Sequence, residues 1–229
     1  MTTPIVVDAI LFDSDGVLVD SHDQVDRAWH AVAERFGLDI GELRASLAGV
    51  PARDTLARHL DGERLDEAVA HLEDLEVETA STTLAVRGAT ALTAVLPDQA
   101  FAIVTSATLR LGSARWAAAG ITVPRHVVTA DDVTVGKPDP QPFLMAADRL
   151  GVDPKRCLVF EDSDAGGTAA TAAGSIVVAV GGARWTAPCS ARVADLAGVT
   201  VERRGRRVAV SLADDIGTGT GGPDVRRPV

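Results

Sequence analysis

Seven side chains in this sequence have the types and the spacing to do chemistry together: Asp13, Asp15, Thr105, Ser106, Lys137, Glu161 and Asp162. Asp13 and Asp15 stand two apart in FDSDGVLVD, directly after the apolar run IVVDAIL. Side chains two apart on extended backbone point the same way, so both carboxylates face one place. Two acids that close repel each other and drive one carboxyl toward its neutral form unless a cation stands nearby. A hard divalent cation resolves the repulsion, and Mg²⁺ commonly takes one or two carboxylates together with waters and phosphate oxygens. Asp162, in CLVFEDSD, supplies a second carboxylate from another strand end, and Lys137, in VGKPDP, a further positive charge. Such a set can hold a cation against a negatively charged substrate.

Taken singly, each piece has a plain structural reading. Asp-x-Asp-Gly is usually a turn, Thr-Ser a loop or helix cap, and Gly-Lys-Pro a surface loop. What lifts them above that reading is their order, each at the end of a predicted strand. Residues 5–12 read as one buried strand, followed by a period-3.6 helix over 20–37 with Val25, Ala28, Trp29, Val32 and Phe36 on one face and Gly37 past its end. Residues 38–85 are helical and acidic, with no convincing strand. From Gly88 onward strands and helices alternate: GATALTAVLP helix, FAIVTS strand, LRLGSARWAAAG helix, HVVTADD strand, DPQPFLMAADRLG helix with Asp139 as N-cap, CLVFED strand, AGGTAATAAG helix and SIVVAV strand. Such alternation predicts an α/β fold with a doubly wound parallel sheet, whose ligands bind beyond the carboxyl ends of the strands. VTVERRGRRVAV reads as a hairpin around Arg204-Gly205, its arginines on a solvated turn. The expected organisation is a core of residues 1–19 and 87–212, an inserted helical unit of residues 20–86, and a disordered Gly/Pro-rich tail over 213–229.

Composition narrows the partners. A formal charge of −10 argues against a nucleic-acid or membrane-surface binder, so an anionic substrate needs local compensation. Aromatic residues are only 3% of the chain, so Ala, Val and Leu must build the core. Two cysteines in 229 residues make no disulfide framework, and together with the lack of a leader-like or spanning segment they predict a cytoplasmic protein. His30, His59, His71 and His126 show no metal spacing. Trp29, Trp116 and Trp185 read as packing residues. A monomer or weak dimer is expected.

The motifs also resemble those of the haloacid dehalogenase superfamily, in its Mg²⁺-dependent phosphatase branch. ILFDSDGVLVDS resembles the first motif, VTSAT the second, GKPDPQPF the third and VFEDSDAGGTAATAAG the fourth, across about residues 5–182. The resemblance implies a Rossmann-like core with a helical cap after the first motif, acting on a small phosphorylated metabolite such as a sugar, polyol or glycolate-type phosphate. It implies Asp13 as nucleophile, forming an aspartyl-phosphate, and Asp15 as general acid and base. Thr105 becomes the motif hydroxyl, with Ser106 beside it as a substrate contact, and Lys137 neutralises the transferring group. Mg²⁺ falls to Asp13, the Asp15 carbonyl and Asp162, with Glu161 assisting directly or through water. LAGVPARDTLARHLD lies where relatives place a substrate loop, so Arg53 either reaches a second group on the substrate or faces solvent beside Asp54 or Glu63.

A phosphosugar mutase of the β-phosphoglucomutase type is the second enzyme reading, and a non-catalytic binding protein the third. Such mutases carry an arginine where this chain has Ala52 and a histidine where it has Val25, which favours a phosphatase. The His-Gly-Arg-type loop of sugar phosphatases is likewise unmatched by Ala48-Gly49-Val50, which weakens the sugar assignment.

Overall fold

The computed structural model describes residues 3–44, 49–181 and 185–213. The first strand pair is β1 (Ile5–Val7) and β2 (Ala9–Phe12), and the chain then passes through β3 (Val19–Asp20) into four helices, α1 (His22–Phe36), α2 (Ile40–Arg44), α3 (Ala52–Leu56) and α4 (Gly62–Thr79). It returns through β4 (Leu84–Ala85) and continues as α5 (Ala89–Val95), β5 (Phe101–Val104), α6 (Leu109–Ala119), β6 (Val127–Val128) and α7 (Gln141–Leu150). The rest is β7 (Cys157–Glu161), α8 (Asp164–Ala172), β8 (Ile176–Val180), β9 (Ala191–Val193) and the hairpin β10 (Val199–Arg204) and β11 (Arg207–Leu212).

The central sheet is parallel and six-stranded in the order β6-β5-β2-β7-β8-β9. β2 lies between β5 and β7, with Phe12 opposite Ile103 on one side and Phe160 on the other. Alternation sorts its side chains: Ile10 and Phe12 enter one apolar layer, Ala9 and Leu11 the other. The first layer holds Phe12, Phe101, Trp116 and Phe160, with Phe12 stacked on Phe160 at 5.3 Å between ring centres. In the second, small residues such as Ala102, Ala146, Ala147, Ala169 and Ala170 let α7 and α8 approach closely. A chain poor in aromatics thus builds its core by bringing helices near the sheet.

The predicted strand over residues 5–12 is in fact two. Asp8 breaks it: its N–H donates to the Arg156 carbonyl at 2.8 Å, and its carboxylate pairs with Arg156 and Arg207. β1 therefore leaves the parallel sheet and joins β10 and β11 in a separate antiparallel sheet. The stretch over 38–85 also holds a strand where none was expected, since β4 pairs antiparallel with β3. That ribbon is where the chain leaves the core and returns to it. β9 was not foreseen either, because ARV is too short to carry a pattern.

Other expectations hold closely. Gly37 closes α1 in the left-handed region, at φ 68°. The hairpin turns at Gly205. α7 starts one residue later than expected, with Pro140 at the cap position, yet Asp139 Oδ1 still accepts the Gln141 N–H at 2.8 Å. The four helices α1–α4 have an apolar core of their own around Trp29, Val32, Leu43, Leu56 and Leu72. Except for Ala213, the expected tail lies outside the described residues, as does Ala48. Among the described residues, no helix is long and apolar enough to cross a membrane.

Candidate active site

The parallel sheet brings the predicted residues to one edge. Asp13 directly follows β2, its N–H donating to the Phe160 carbonyl at 3.0 Å, so the residue is still tied to the sheet. The chain then folds back on itself, the Ser14 carbonyl accepting from Leu18 and Val19 N–H at 2.8 and 3.0 Å. Gly16 makes this turn at φ 82°, and a Cβ there would lie 2.0 Å from Asp162 Oδ2. Only glycine both adopts that conformation and lets the first loop run against Asp162.

Lys137 is the buried centre of the arrangement, 1% exposed. Its Nζ donates to Asp13 Oδ1 at 2.5 Å, Glu161 Oε1 at 2.6 Å and the Val104 carbonyl at 3.1 Å. It also lies 5.2 Å from the centre of the Phe143 ring. Burial alone would discharge the ammonium, but Asp13 and Glu161 outweigh burial and hold its pKa above the usual lysine value. Glu161 fills its other oxygen with the Ser163 N–H and Oγ, both at 3.0 Å.

Asp13, Glu161 and Asp162 each offer an oxygen within 4.8 Å of the others. Burial, then repulsion from Glu161, lifts the Asp13 pKa well above the carboxylate range, with Lys137 only partly opposing. Burial likewise raises Asp162, against the pull of His22. One lysine does not balance this cluster, and a hard divalent ion with oxygen donors fits it. Asp13 binds its proton more tightly folded than unfolded, so without a metal its contribution declines as pH rises above about 4. Added Mg²⁺ should therefore raise Tm more at about pH 8 than at about pH 5. Equal increments at both pH values would contradict the fit.

Thr105 is buried at the end of β5, held by its N–H on the Val128 carbonyl at 2.9 Å. Its Oγ1 accepts the Ala107 N–H at 3.0 Å, so the hydroxyl proton remains available to donate. Ser106 faces the helical insertion instead, its Oγ donating to the Gly49 carbonyl at 2.8 Å. The insertion's loop is pressed onto the core there. A Cβ at Gly49 would lie 2.2 Å from Ser163 Oγ, and one at Gly136 would lie 2.2 Å from Pro51 Cγ. Arg53 is not brought among these residues. Its Nη2 donates to Asp66 Oδ1 on α4 at 2.7 Å and its side chain is 55% exposed, so it is a solvent-facing arginine whose partner is neither Asp54 nor Glu63.

Several participants were missed from the sequence. Asp15 Oδ1 accepts from Ser21 Oγ at 2.5 Å and from Arg115 Nη1 at 2.8 Å. Arg115, 2% exposed on α6, also donates through Nη2 to Glu76 Oε1 on α4 at 3.0 Å. Burial pushes the Glu76 carboxyl up to about 7 despite the arginine beside it. Next to Arg115, Trp116 packs in the core as expected and also donates Nε1–H to Ser14 Oγ at 2.9 Å. His22 Nε2 lies 3.6 Å from Asp162 Oδ2, and the Asp162 carboxylate beside it raises its pKa to about 9 against the effect of burial. An arginine beside a tryptophan within the small-residue run SARWAAAG was the available signal for this group.

A sequence model of the family described as haloacid dehalogenase-like hydrolase matches residues 7–174. The chain is 39% identical over 175 residues to hexitol phosphatase A of Escherichia coli K12, covering 74% of this chain and 81% of that protein. It is 30% identical over 195 residues to a fructose-1-phosphate phosphatase of the same organism, covering 75% of this chain and 95% of that one. Among solved structures, a β-phosphoglucomutase from Clostridium difficile shares the fold with a TM-score of 0.74 at 22% identity, over 83% of this chain and 92% of that chain.

Proposed function

The chain belongs to the haloacid dehalogenase-like hydrolase family and is a phosphoric monoester hydrolase, and we propose that it releases phosphate from a small phosphorylated polyol or sugar through an aspartyl-phosphate on Asp13. The observation that carries this reading is the buried Lys137 held 2.5 Å from Asp13 within the three-acid cluster.

Asp13 is the nucleophile. Its Oδ1 is fixed by Lys137, which leaves Oδ2 to attack phosphorus. Lys137 neutralises charge on the carboxylate and on the transferring phosphoryl group, and the Thr105 hydroxyl donates to a phosphoryl oxygen. Asp15 protonates the leaving alkoxide, then removes a proton from the water that hydrolyses the aspartyl-phosphate. Asp13, the Asp15 carbonyl and Asp162 would hold Mg²⁺, while Glu161, with both oxygens engaged by Lys137 and Ser163, fixes the lysine beside that site. When bound, the ion supplies charge neutralisation at the phosphoryl oxygens. The helical unit of residues 20–86 is the cap, and its loop at Gly49–Pro51 excludes water by seating on Ser106, Gly136 and Ser163.

Hydrolysis is favoured over a mutase reaction because Ala52 and Val25 occupy positions where a second phosphate would need polar or cationic contacts. Val25 instead packs against the cap's apolar core. The test is phosphate release across hexitol, sugar, glycerol and glycolate phosphates, with Mg²⁺ or with chelator. Release from hexitol or sugar phosphates, abolished by chelator and restored by Mg²⁺, is the expected result. Interconversion of sugar phosphates without free phosphate would overturn it.

A further inference from the structure

Asp15 stands on an unusual support. Consecutive side chains of α6 hold consecutive residues of the first loop, Trp116 on Ser14 and Arg115 on Asp15. Arg115 is itself fixed from the cap, by Glu76. Nearer the surface the same two helices are joined again, Thr108 Oγ1 donating to Glu73 Oε1 at 2.5 Å and Arg110 Nη1 to Asp74 Oδ1 at 2.8 Å. The innermost link of this seam is the one that reaches the loop carrying Asp13 and Asp15.

The contacts are one-sided. Both donors to Asp15, Ser21 Oγ and Arg115 Nη1, fall on Oδ1, and no described residue donates to Oδ2. A carboxyl oxygen that already accepts from a guanidinium and a hydroxyl is a poor place for a proton. We propose that Arg115 is a positioning residue for the reaction: by holding Asp15 Oδ1, with Glu76 of the cap fixing its guanidinium, it leaves Oδ2 as the oxygen that carries the proton to and from the substrate. The inference rests on the acid–base role assigned to Asp15. Arg115 itself touches neither substrate nor reacting atoms. Because Glu76 comes from α4, the seating of the cap and the aim of Asp15 are set by one buried ion-pair chain.

The chemistry gives a readout that a merely structural role would not move. A leaving group needs the proton of Asp15 only if it is a poor one. Phenolate, with a conjugate acid pKa of about 10, needs it far more than 2,4-dinitrophenolate does. Release of each from its monophosphate, measured with enzyme in excess over substrate, isolates the first step. Asp15→Asn is the control and should slow the phenyl ester about 10²-fold or more relative to the dinitrophenyl ester. Removing Arg115 alone would strand Glu76, so the test variant is the double substitution R115M/E76L, since replacing a buried pair by apolar residues of similar volume is often tolerated. It should show the same selective loss, about tenfold or more, and Arg115→Lys with Glu76 intact should recover part of it. Equal slowing of both esters, or no slowing, would overturn the proposal while leaving the role of Asp15 standing. If Asp15→Asn itself shows no selectivity, the acid–base assignment falls and the inference with it.

Discussion

Asp13→Asn should lose turnover by roughly 10⁴-fold or more, the scale seen when a nucleophile is removed from a unit that acts together. The fold should survive. Asparagine is isosteric, and its Oδ1 can still accept from Lys137 where the carboxylate now does, at 2.5 Å. Burial and Glu161 already disfavour the charge on Asp13, so its removal relieves a repulsion in the metal-free protein. The variant should therefore melt no lower than the parent without metal, and should gain less from added Mg²⁺. Phosphate release and thermal melting, with and without the ion, check both halves. Turnover within about tenfold of the parent would remove Asp13 from the mechanism.

Lys137→Met should be damaging in two separable ways. Among the described residues, the lysine is the one cation shared by Asp13 and Glu161, at 2.5 and 2.6 Å in a buried setting. Breaking a buried pair by removing one partner typically costs about 3–5 kcal/mol, because the other charge is left uncompensated. Turnover should fall by about 10³-fold or more, since positioned cations supply much of the stabilisation in phosphoryl transfer. Adding Glu161→Gln separates the effects. It removes the stranded charge while keeping an acceptor for the Ser163 N–H and Oγ. The double variant should regain melting temperature over Lys137→Met and stay inactive. Recovery of activity along with stability would mean that Lys137 is structural only.

How much of this could be read from the sequence depended on how local the determining interactions are. Asp13, Thr105 and Glu161-Asp162 were legible because each ends a hydrophobic run, and adjacent parallel strands align those ends. The register of β2 with β5 and β7 is what the apolar runs encode. The placement of Arg115 was not legible, since its partner Asp15 is 100 residues away and Glu76 is 39 away. No periodicity links such positions, because a single buried ion pair leaves no repeated pattern. Asp8 shows the converse failure. It lies inside the run read as one strand, but its pairing with Arg156, 148 residues on, divides that run between two sheets. Arg53 was expected to reach the substrate or to face solvent beside Asp54 or Glu63, yet it lies on α3 and Asp66 of α4 takes its guanidinium. Loop sequence alone does not reveal which acid on a neighbouring helix comes within reach.

Passage of phosphate through Asp13 is the central step of the proposed reaction. The direct measurement is to mix the protein in excess with 2,4-dinitrophenyl phosphate and Mg²⁺, quench in acid within the first turnover, and map the digest by mass. The expected result is a phosphoryl adduct on the peptide spanning FDSDGVLVD, localised to Asp13, rising and decaying as phosphate appears and absent from Asp13→Asn. Phosphate released at full rate with no adduct at any time, or an adduct on another residue, would contradict it.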